Sequence, residues 1–331
     1  MTDPDLAPAD ASAPAPVKRR TFGRVECNLG MLLGLVGLGA GRLGHLWIAF
    51  DVFAQFTLQF ALIAVSFAIG RLMPVARVTT AFLLILIGLV GIGAWPQIAA
   101  LTSPVIGAVK GGQKPIKVAS FNTWYENHDA EAVGKELRRL DADILTVLEF
   151  GPNKRHLLAA LKDVYPYQAD CFTQDYCQLA ILSKFPILSS QGRIGWEGAP
   201  LLMAKLGPEG GNLTVFAIHT IRFPHSRAQY RQVKALADLI DLTPGPKLVM
   251  GDFNATPFSR IAATLANQTG LQRLTMLPSW PSWVGLPQMA IDHIYVSPGI
   301  GVVADERLGE PSGSDHFPIT MTLAVPTGEN P

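Results

Sequence analysis

The sequence predicts an α/β domain carried behind an apolar, membrane-directed block, and three observations predict it. First, charged residues make up 16% of the 331 residues, against about 25% in an ordinary soluble domain. The deficit is local: residues 26–101 carry five charges (Glu26, Arg42, Asp51, Arg71 and Arg77), whereas residues 102–331 carry 20 basic and 21 acidic residues. Second, beyond residue 115, apolar runs of strand length alternate with segments of helical spacing, the pattern of layered α/β architectures. Third, polar residues of a few chemical kinds stand at the ends of those runs. A hydrophobic content of 49% and a mean hydropathy of +0.26 exclude a disordered or collagen-like chain, and three cysteines in this length exclude a small disulfide scaffold.

The elements follow in order. Residues 1–25, rich in Ala, Pro and Asp, read as a disordered cytoplasmic tail. Lys18, Arg19, Arg20 and Arg24 then precede a charge-free run from Leu29 to Ala40. A spanning helix needs about 20 apolar residues. Cys27–Trp47 reaches that length with Arg42 snorkelling to the far interface. Phe53–Gly70 and Val78–Leu101 are two further apolar runs. Residues 26–101 are therefore expected to form a membrane region of about three transmembrane helices; two spans behind a cleaved or interfacial first segment is the alternative. Basic residues favour cytoplasmic loops. Four precede the first run, Arg71 and Arg77 fall in the second loop, and only Arg42 falls in the first. With three spans the N-terminus is cytoplasmic and the C-terminal domain lies on the outer, periplasmic side of a cell inner membrane. Residues 102–115, with Pro104, Gly111, Gly112 and Pro115, read as a linker.

Within residues 116–325, Ile116–Asn122 and Asp143–Glu149 read as strands, separated by a helix over Asp129–Leu140 with Ala130, Val133, Leu137 and Leu140 on one face. Leu179–Leu182 and Asn212–His219 are further strands, and Pro224–Leu242 is a helix. Lys247–Met250, Ile291–Val296 and Pro318–Leu323 complete the strands, and residues 326–331 read as a tail. The near-balanced charge advertises no basic surface for nucleic acid.

Asn122, Glu149, His219, Asp252, Asn254, Asp292 and His316 each lie at the end of an apolar run. Any one alone reads as a strand-end cap or Asx turn. Together they are the residue types required for a hard, oxygen-bound cation and for proton transfer.

The segments VASFNTW (118–124), DILTVLEF (143–150), LAILSKFPI (179–187), FAIHTIRFP (216–224), VMGDFNATP (249–257), IDHIYVS (291–297) and SDHFPI (314–319) occur in an order that resembles the endonuclease/exonuclease/phosphatase superfamily, in particular its bacterial membrane-anchored members. The resemblance covers about residues 116–324 and implies a four-layer sandwich, two packed β-sheets flanked by helices. It implies a metal-dependent hydrolase of phosphate esters, using Mg²⁺ or Mn²⁺. It makes Glu149 the principal metal carboxylate, assisted by Asn122 and Asp315. Asp252 would orient or deprotonate the attacking water, Asn254 would hold a phosphate oxygen, and His316 would contact the scissile phosphate with Asp292 fixing its tautomer. His219 resembles the deoxyribonuclease I, sphingomyelinase and 5-phosphatase branches, as a phosphate contact or acid. Arg222 and His225 follow closely and are candidate substrate-binding residues. His293 should face away from Asp292 on the same strand, and His128 and His156 read as surface residues. Trp280 and Trp283 precede the Asp292 strand, where stacking, lipid contact and simple packing are all open.

The expected partners are a phosphate-ester substrate, either nucleic acid or a lipid or small molecule, and the bilayer; no protein partner is inferred. The other function class open to the sequence is a non-catalytic membrane protein whose domain binds a phosphorylated ligand. Cys171 and Cys177 flank a short polar loop, CFTQDYC. Two free thiols would be ordinary in a cytoplasmic domain, and two thiolates fall short of a zinc site. With the domain placed outside, a Cys171–Cys177 disulfide is expected.

Overall fold

Glycine spacing shapes the first helix pair. The computed structural model describes residues 23–102, 107–174, 176–284 and 288–327; the expected tail up to residue 22, residues 103–106 of the expected linker and the last four residues lie outside them. Helix α1 (Arg24–Leu43) packs along α3 (Thr57–Leu72), with a 3-10 turn (Ile48–Phe50) and the short α2 (Asp51–Ala54) between them. A Cβ added at Gly34 would lie 2.6 Å from the Ala64 nitrogen, so only glycine permits this approach. Helix α4 (Arg77–Thr102) packs on α3. Among the described residues one helix, Arg77–Trp95, is long and apolar enough to cross a membrane, and Ile48–Ala54 with Thr57–Leu72, bent by 58°, forms a second, broken candidate. The three expected apolar runs thus each contain a helix. However, α1 falls short of spanning composition, because five of its 20 residues are glycine and Glu26 and Asn28 stand in its first two turns.

The remaining chain builds two mixed six-stranded sheets. In the first, β1 (Gln113–Asn122) and β2 (Ile144–Leu148) run parallel at the centre. β3 (Tyr167–Asp170) and β4 (Ala180–Ser183) extend one side, and β11 (Gly301–Leu308) and β12 (Ile319–Pro326) the other, in the order β11-β12-β1-β2-β4-β3. The second sheet repeats the plan. β7 (Thr214–His219) and β8 (Lys247–Asp252) are the parallel central pair, flanked by β5 (Ile187–Arg193), β6 (Leu201–Leu206), β9 (Gln272–Arg273) and β10 (Asp292–Val296), in the order β5-β6-β7-β8-β10-β9. Helices α5 (Ala130–Leu140) and α6 (Leu157–Ala160) accompany the first sheet, and α7 (Ser226–Leu242) and α8 (Arg260–Thr269) the second.

Strand alternation separates three apolar layers. Val118, Ile144, Leu148, Val215, Ala217 and Met250 meet between the sheets. Ala119, Phe121 and Val147 point outward from the first sheet onto Val133 and Leu137 of α5. Phe216, Ile218 and Val249 point outward from the second sheet onto Val233, Leu236 and Ile240 of α7. The result is the expected helix–sheet–sheet–helix sandwich. The helix ends carry ordinary signals: Asp129 caps α5 by accepting the Ala132 N–H at 2.9 Å, and Ser259 caps α8 by accepting the Ala262 N–H.

This topology also decides where polar side chains can stand. Strand interiors are buried on both faces, so chemistry is confined to the ends. Asn122 closes β1 beside Leu148 of β2, and Glu149 follows immediately. His219 and Asp252 close β7 and β8 side by side, and Asp292 opens antiparallel β10 opposite Asp252. Both parallel pairs therefore deliver their C-terminal ends to one rim.

Candidate active site

The rim is a cleft of about 700 Å³ lined by Glu149, His219, Arg222, Asp252, Asn254 and Asp315, among others including Trp280 and His316. Asn122 ties its floor together. Its Nδ2 donates to Glu149 Oε1 at 3.0 Å and to Asp252 Oδ2 at 3.1 Å, while its Oδ1 accepts the Trp124 N–H at 3.0 Å. The side chain expected to assist the metal therefore turns its amide nitrogen toward the carboxylates and spends its oxygen on the backbone. Glu149 Oε2 accepts the Tyr125 N–H at 2.8 Å. Burial raises the Glu149 pKa, but His219, the hydrogen bonds from Asn122 and Tyr125, and His316 outweigh it and hold the carboxyl below its ordinary value. Glu149 and Asn254 both sit at positive φ, 49° and 45°, strained backbone of the kind that concentrates at functional sites. Gly251, at φ 149°, precedes Asp252; a Cβ there would fall on the Ile218 carbonyl oxygen, so the GDFN turn requires glycine.

Asp252 is 1% exposed. Burial, with Asp292 adding, pushes its carboxyl up to about 6 against the opposing pull of His316 and His219. The Asn254 N–H donates to its Oδ1 at 2.7 Å, and Asn254 Nδ2 reaches its Oδ2 at 3.2 Å and the Thr220 carbonyl at 3.1 Å. His219 Nε2 stands 3.4 Å from Glu149 Oε1 and 3.8 Å from Asp252 Oδ2.

His316 faces the same carboxylate from the other side, its Nε2 3.6 Å from Asp252 Oδ2. Its Nδ1 donates to Asp292 Oδ2 at 2.8 Å, which fixes the ring's orientation with Nε2 toward the cleft. Burial lowers the His316 pKa, but Asp292, Asp252 and Asp315 outweigh it and raise it to about 10. Asp315 lines the cleft with Oδ2 on the Trp280 indole N–H at 3.1 Å and Oδ1 3.9 Å from His316 Nε2. Arg222 also lines the cleft, whereas His225 serves as the N-cap residue of α7 and is not among the lining residues. His293 is a core histidine: its Nε2 pairs with the Ala255 carbonyl at 2.8 Å, and burial pushes its pKa down to about 3. His128 and His156 are exposed and away from the cleft.

Among the described residues, two groups of side chains present ligand atoms within mutual reach: Glu149, His219 and Asp252, and Asp252, Asp292 and His316. The second group is occupied with itself, since Asp292 Oδ2 accepts from both His316 and the Ser279 hydroxyl. The first offers two carboxylates at an open cleft, a donor set that fits a hard divalent cation keeping several waters. Asp315 belongs to neither group.

Four supporting residues were not singled out from sequence. Ser279 donates its hydroxyl to Asp292 Oδ2 at 2.6 Å. Ser314 donates to the Asn122 carbonyl at 2.7 Å and accepts the His316 N–H at 3.1 Å. Lys154, fully buried, donates to the carbonyls of Trp124 at 2.6 Å and Asn127 at 3.3 Å, holding the loop that bonds Glu149; burial lowers its pKa to about 8. Glu306 Oε2 accepts the N–H groups of Met276 and Leu277 at 2.7 and 2.8 Å, anchoring the loop that carries Ser279 and Trp280, and burial pushes its carboxyl up to about 8. Only the SDH box pointed near one of them. Away from the cleft, Cys171 and Cys177 are joined as a disulfide with Cα atoms 5.6 Å apart, and Cys27 is free and buried.

A family model described as the Endonuclease/Exonuclease/phosphatase family matches residues 119–316. The UPF0294 protein VV2535 of Vibrio vulnificus (strain YJ016) is 29% identical over 124 residues, 36% of this chain and 42% of that protein, so the match spans about two-fifths of the relative's length. Among solved structures, an endonuclease/exonuclease/phosphatase from Bacteroides vulgatus superposes with a TM-score of 0.51 and 18% identity, covering 64% of this chain and 99% of its own. Sphingomyelinase C from Streptomyces griseocarneus gives 0.50 and 16%, covering 64% and 99%. A beta-toxin mutant from Staphylococcus aureus with bound magnesium ions gives 0.50 and 16%, covering 64% and 100%. At these identities the structural likeness speaks for the fold.

Proposed function

Because the chain belongs to the endonuclease/exonuclease/phosphatase family, we propose that it is a membrane-anchored, divalent-metal-dependent phosphoesterase. It hydrolyses a phosphodiester or phosphomonoester by attack of water, with its catalytic domain on the outer side of the cell inner membrane. The observation that carries this reading is the convergence of Glu149, Asp252 and the His316–Asp292 pair on one cleft. A bound Mg²⁺ or Mn²⁺ supplies charge neutralisation to the phosphate and acidity to water.

The chain's own residues divide the remaining work. Glu149 holds the cation, with Asn122 fixing its carboxylate and Asp315 flanking the site. Asp252, buried and raised in pKa, orients the attacking water and takes its proton. His316, kept as an imidazolium by Asp292, donates from Nε2 to the phosphate as negative charge builds. Asn254, His219 and Arg222 offer further donors around the phosphate, and His225, the N-cap residue of α7, is left out of the phosphate site.

The anchoring part of the reading is supported by the apolar helix Arg77–Trp95, by outward-facing Leu32, Leu35, Phe82 and Leu86, and by the glycine-mediated approach of α1 to α3. The balance of 20 basic and 21 acidic residues beyond residue 101 gives little surface for tracking a duplex backbone. The full chain should hydrolyse bis-(4-nitrophenyl) phosphate with Mg²⁺ or Mn²⁺ and stop in EDTA. Binding of phosphorylated ligands with no turnover under any metal would instead support a non-catalytic receptor.

A further inference from the structure

The turn between α1 and α3 supplies hydrogen bonds to the segment that follows the catalytic GDFN box. Asp51, 1% exposed, accepts the Arg260 N–H at 2.6 Å, capping α8 alongside Ser259. Gln55, 2% exposed, accepts the Thr256 N–H at 2.6 Å, two residues beyond Asn254. The Thr256 hydroxyl donates to the Ala54 carbonyl and the Arg260 guanidinium to the Gly44 carbonyl, both at 3.4 Å. Ile48 packs into the apolar layer beneath α7. Without this turn, the Thr256 and Arg260 amides would lose their acceptors at a buried surface.

The same turn reaches the cleft. Phe56 meets the ring of Phe223 edge-on, with centroids 5.8 Å apart, and Phe223 lines the cleft. Gln59 Nε2 lies 3.5 Å from the Gln288 carbonyl, and the Gln288 N–H donates to the carbonyl of Trp280, which also lines the cleft. The apolar helix α3 thus begins within three residues of contacts to two cleft-lining segments. Trp283, 73% exposed, and Val284 stand on the Trp280 loop, and Phe258 is exposed beside the α8 cap. A cleft so placed opens next to the head of an apolar helix pair.

We propose that the α1–α3 turn is a docking platform that fixes the cleft mouth at the bilayer surface, and that the ester taken there is the phosphodiester of a phospholipid head group presented by that bilayer. This rests on the phosphoesterase reading above and adds its substrate class. Docking raises the local concentration of a membrane-borne substrate and fixes its approach, whereas a water-soluble ester gains neither.

The test uses the full chain in vesicles of phosphatidylglycerol and phosphatidylethanolamine with Mg²⁺. Hydrolysis of the vesicle lipid is compared with that of water-soluble glycerophosphodiesters bearing the same head groups, and amide hydrogen exchange is followed at Thr256 and Arg260. Wild type should turn over the bilayer lipid at least about 10-fold faster at matched bulk concentration, with both amides protected. Asp51→Leu combined with Gln55→Leu should expose both amides and cut lipid turnover at least about 10-fold, leaving soluble-ester turnover within about threefold. Equal wild-type rates, a preference for the soluble ester or for DNA, unprotected amides, or equal loss of both activities in the variant would each overturn the platform while leaving the phosphoesterase reading intact. Hydrolysis of no phosphate ester at all would overturn that reading instead, and the platform's substrate with it.

Discussion

Replacing Asp292 by Asn removes one charge and preserves shape, which isolates what the His316–Asp292 pair contributes. Asp292 is 1% exposed, and its Oδ2 is held by His316 Nδ1 at 2.8 Å and the Ser279 hydroxyl at 2.6 Å. Burial works against the His316 charge; the surrounding carboxylates, Asp292 first among them, raise the ring to about 10. The wild-type ring is therefore an imidazolium throughout neutral pH. A ring returned to the ordinary value of about 6.5 would be about three-quarters charged at pH 6 and about 3% charged at pH 8. The variant's deficit in turnover should then widen by about 25-fold between those pH values, beyond whatever is lost at pH 6 through misorientation. The assay is kcat for bis-(4-nitrophenyl) phosphate at saturating Mg²⁺ from pH 6 to 8, with the His316 ring titrated by NMR in EDTA. A deficit independent of pH, or rings that titrate alike in the two proteins, would refute the reasoning. The linkage has the same sign: a histidine raised on folding stabilises fully below about pH 6.5 and loses that contribution as pH rises toward about 10. The stability gap between wild type and variant should accordingly be widest below about pH 6.5 and shrink steadily as pH rises toward about 10.

Other perturbations follow from the same geometry. Asp252→Asn or His316→Ala should each lower turnover at least about 10²-fold, and His316→Ala, which strips buried Asp292 of its partner, should also lower the unfolding temperature; near wild-type kcat in either would remove the assigned role. Glu149→Gln keeps shape but takes away the charge a hard cation needs, so the Mg²⁺ concentration for half-maximal activity should rise; an unchanged metal titration would discard Glu149 as the ligand. Glu306, raised to about 8, is neutral in the fold where the unfolded chain is ionised, so stability should fall as pH rises from about 4.5 to 8, by about 1.4 kcal/mol per unit at most. Glu306→Gln should flatten that slope, and an unchanged slope in urea unfolding would contradict it. In protein from intact membranes, peptides holding Cys171 and Cys177 should be recovered joined; free thiols labelled only after the inner membrane is breached would contradict both the bond and the outward topology.

Much of the fold was legible because its central strands carry short apolar runs. β1, β2, β7, β8 and β10 read directly from runs such as Val118–Phe121 and Leu248–Met250, and their polar terminators marked the rim. The peripheral elements carried no such signal. β5, Ile187–Arg193, is an edge strand of mostly exposed Ser, Gln and Gly, and β11 is bulged between Val302 and Arg307. Helix α8 is short and weakly apolar, although Ser259 before it and Gly270 after it are the usual capping residues. At the site, Asn122, Glu149, His219, Asp252, Asn254, Asp292 and His316 stood out because ionisable and amide side chains at the ends of apolar runs are conspicuous, whereas Asp315 was marked only by the family resemblance. Ser279 and Ser314 did not, because a serine in a loop looks the same whether it solvates itself or pins a buried side chain or backbone group at the cleft. Lys154 was hidden for the opposite reason: a lysine after a turn reads as surface, and only the fold reveals that it fills a buried ring of carbonyls. The contacts of Asp51 and Gln55 lie about 200 residues away in sequence, beyond any local pattern.

The central claim is that water, activated in this cleft, attacks the phosphorus of an ester. Hydrolysis of a phosphodiester by the full chain in ¹⁸O-labelled water, with product analysed by mass spectrometry, tests it most directly. The account predicts Mg²⁺-dependent release of a phosphomonoester carrying one ¹⁸O from solvent. No metal-dependent product, or product whose label resides on the alcohol instead of the phosphate, would contradict it.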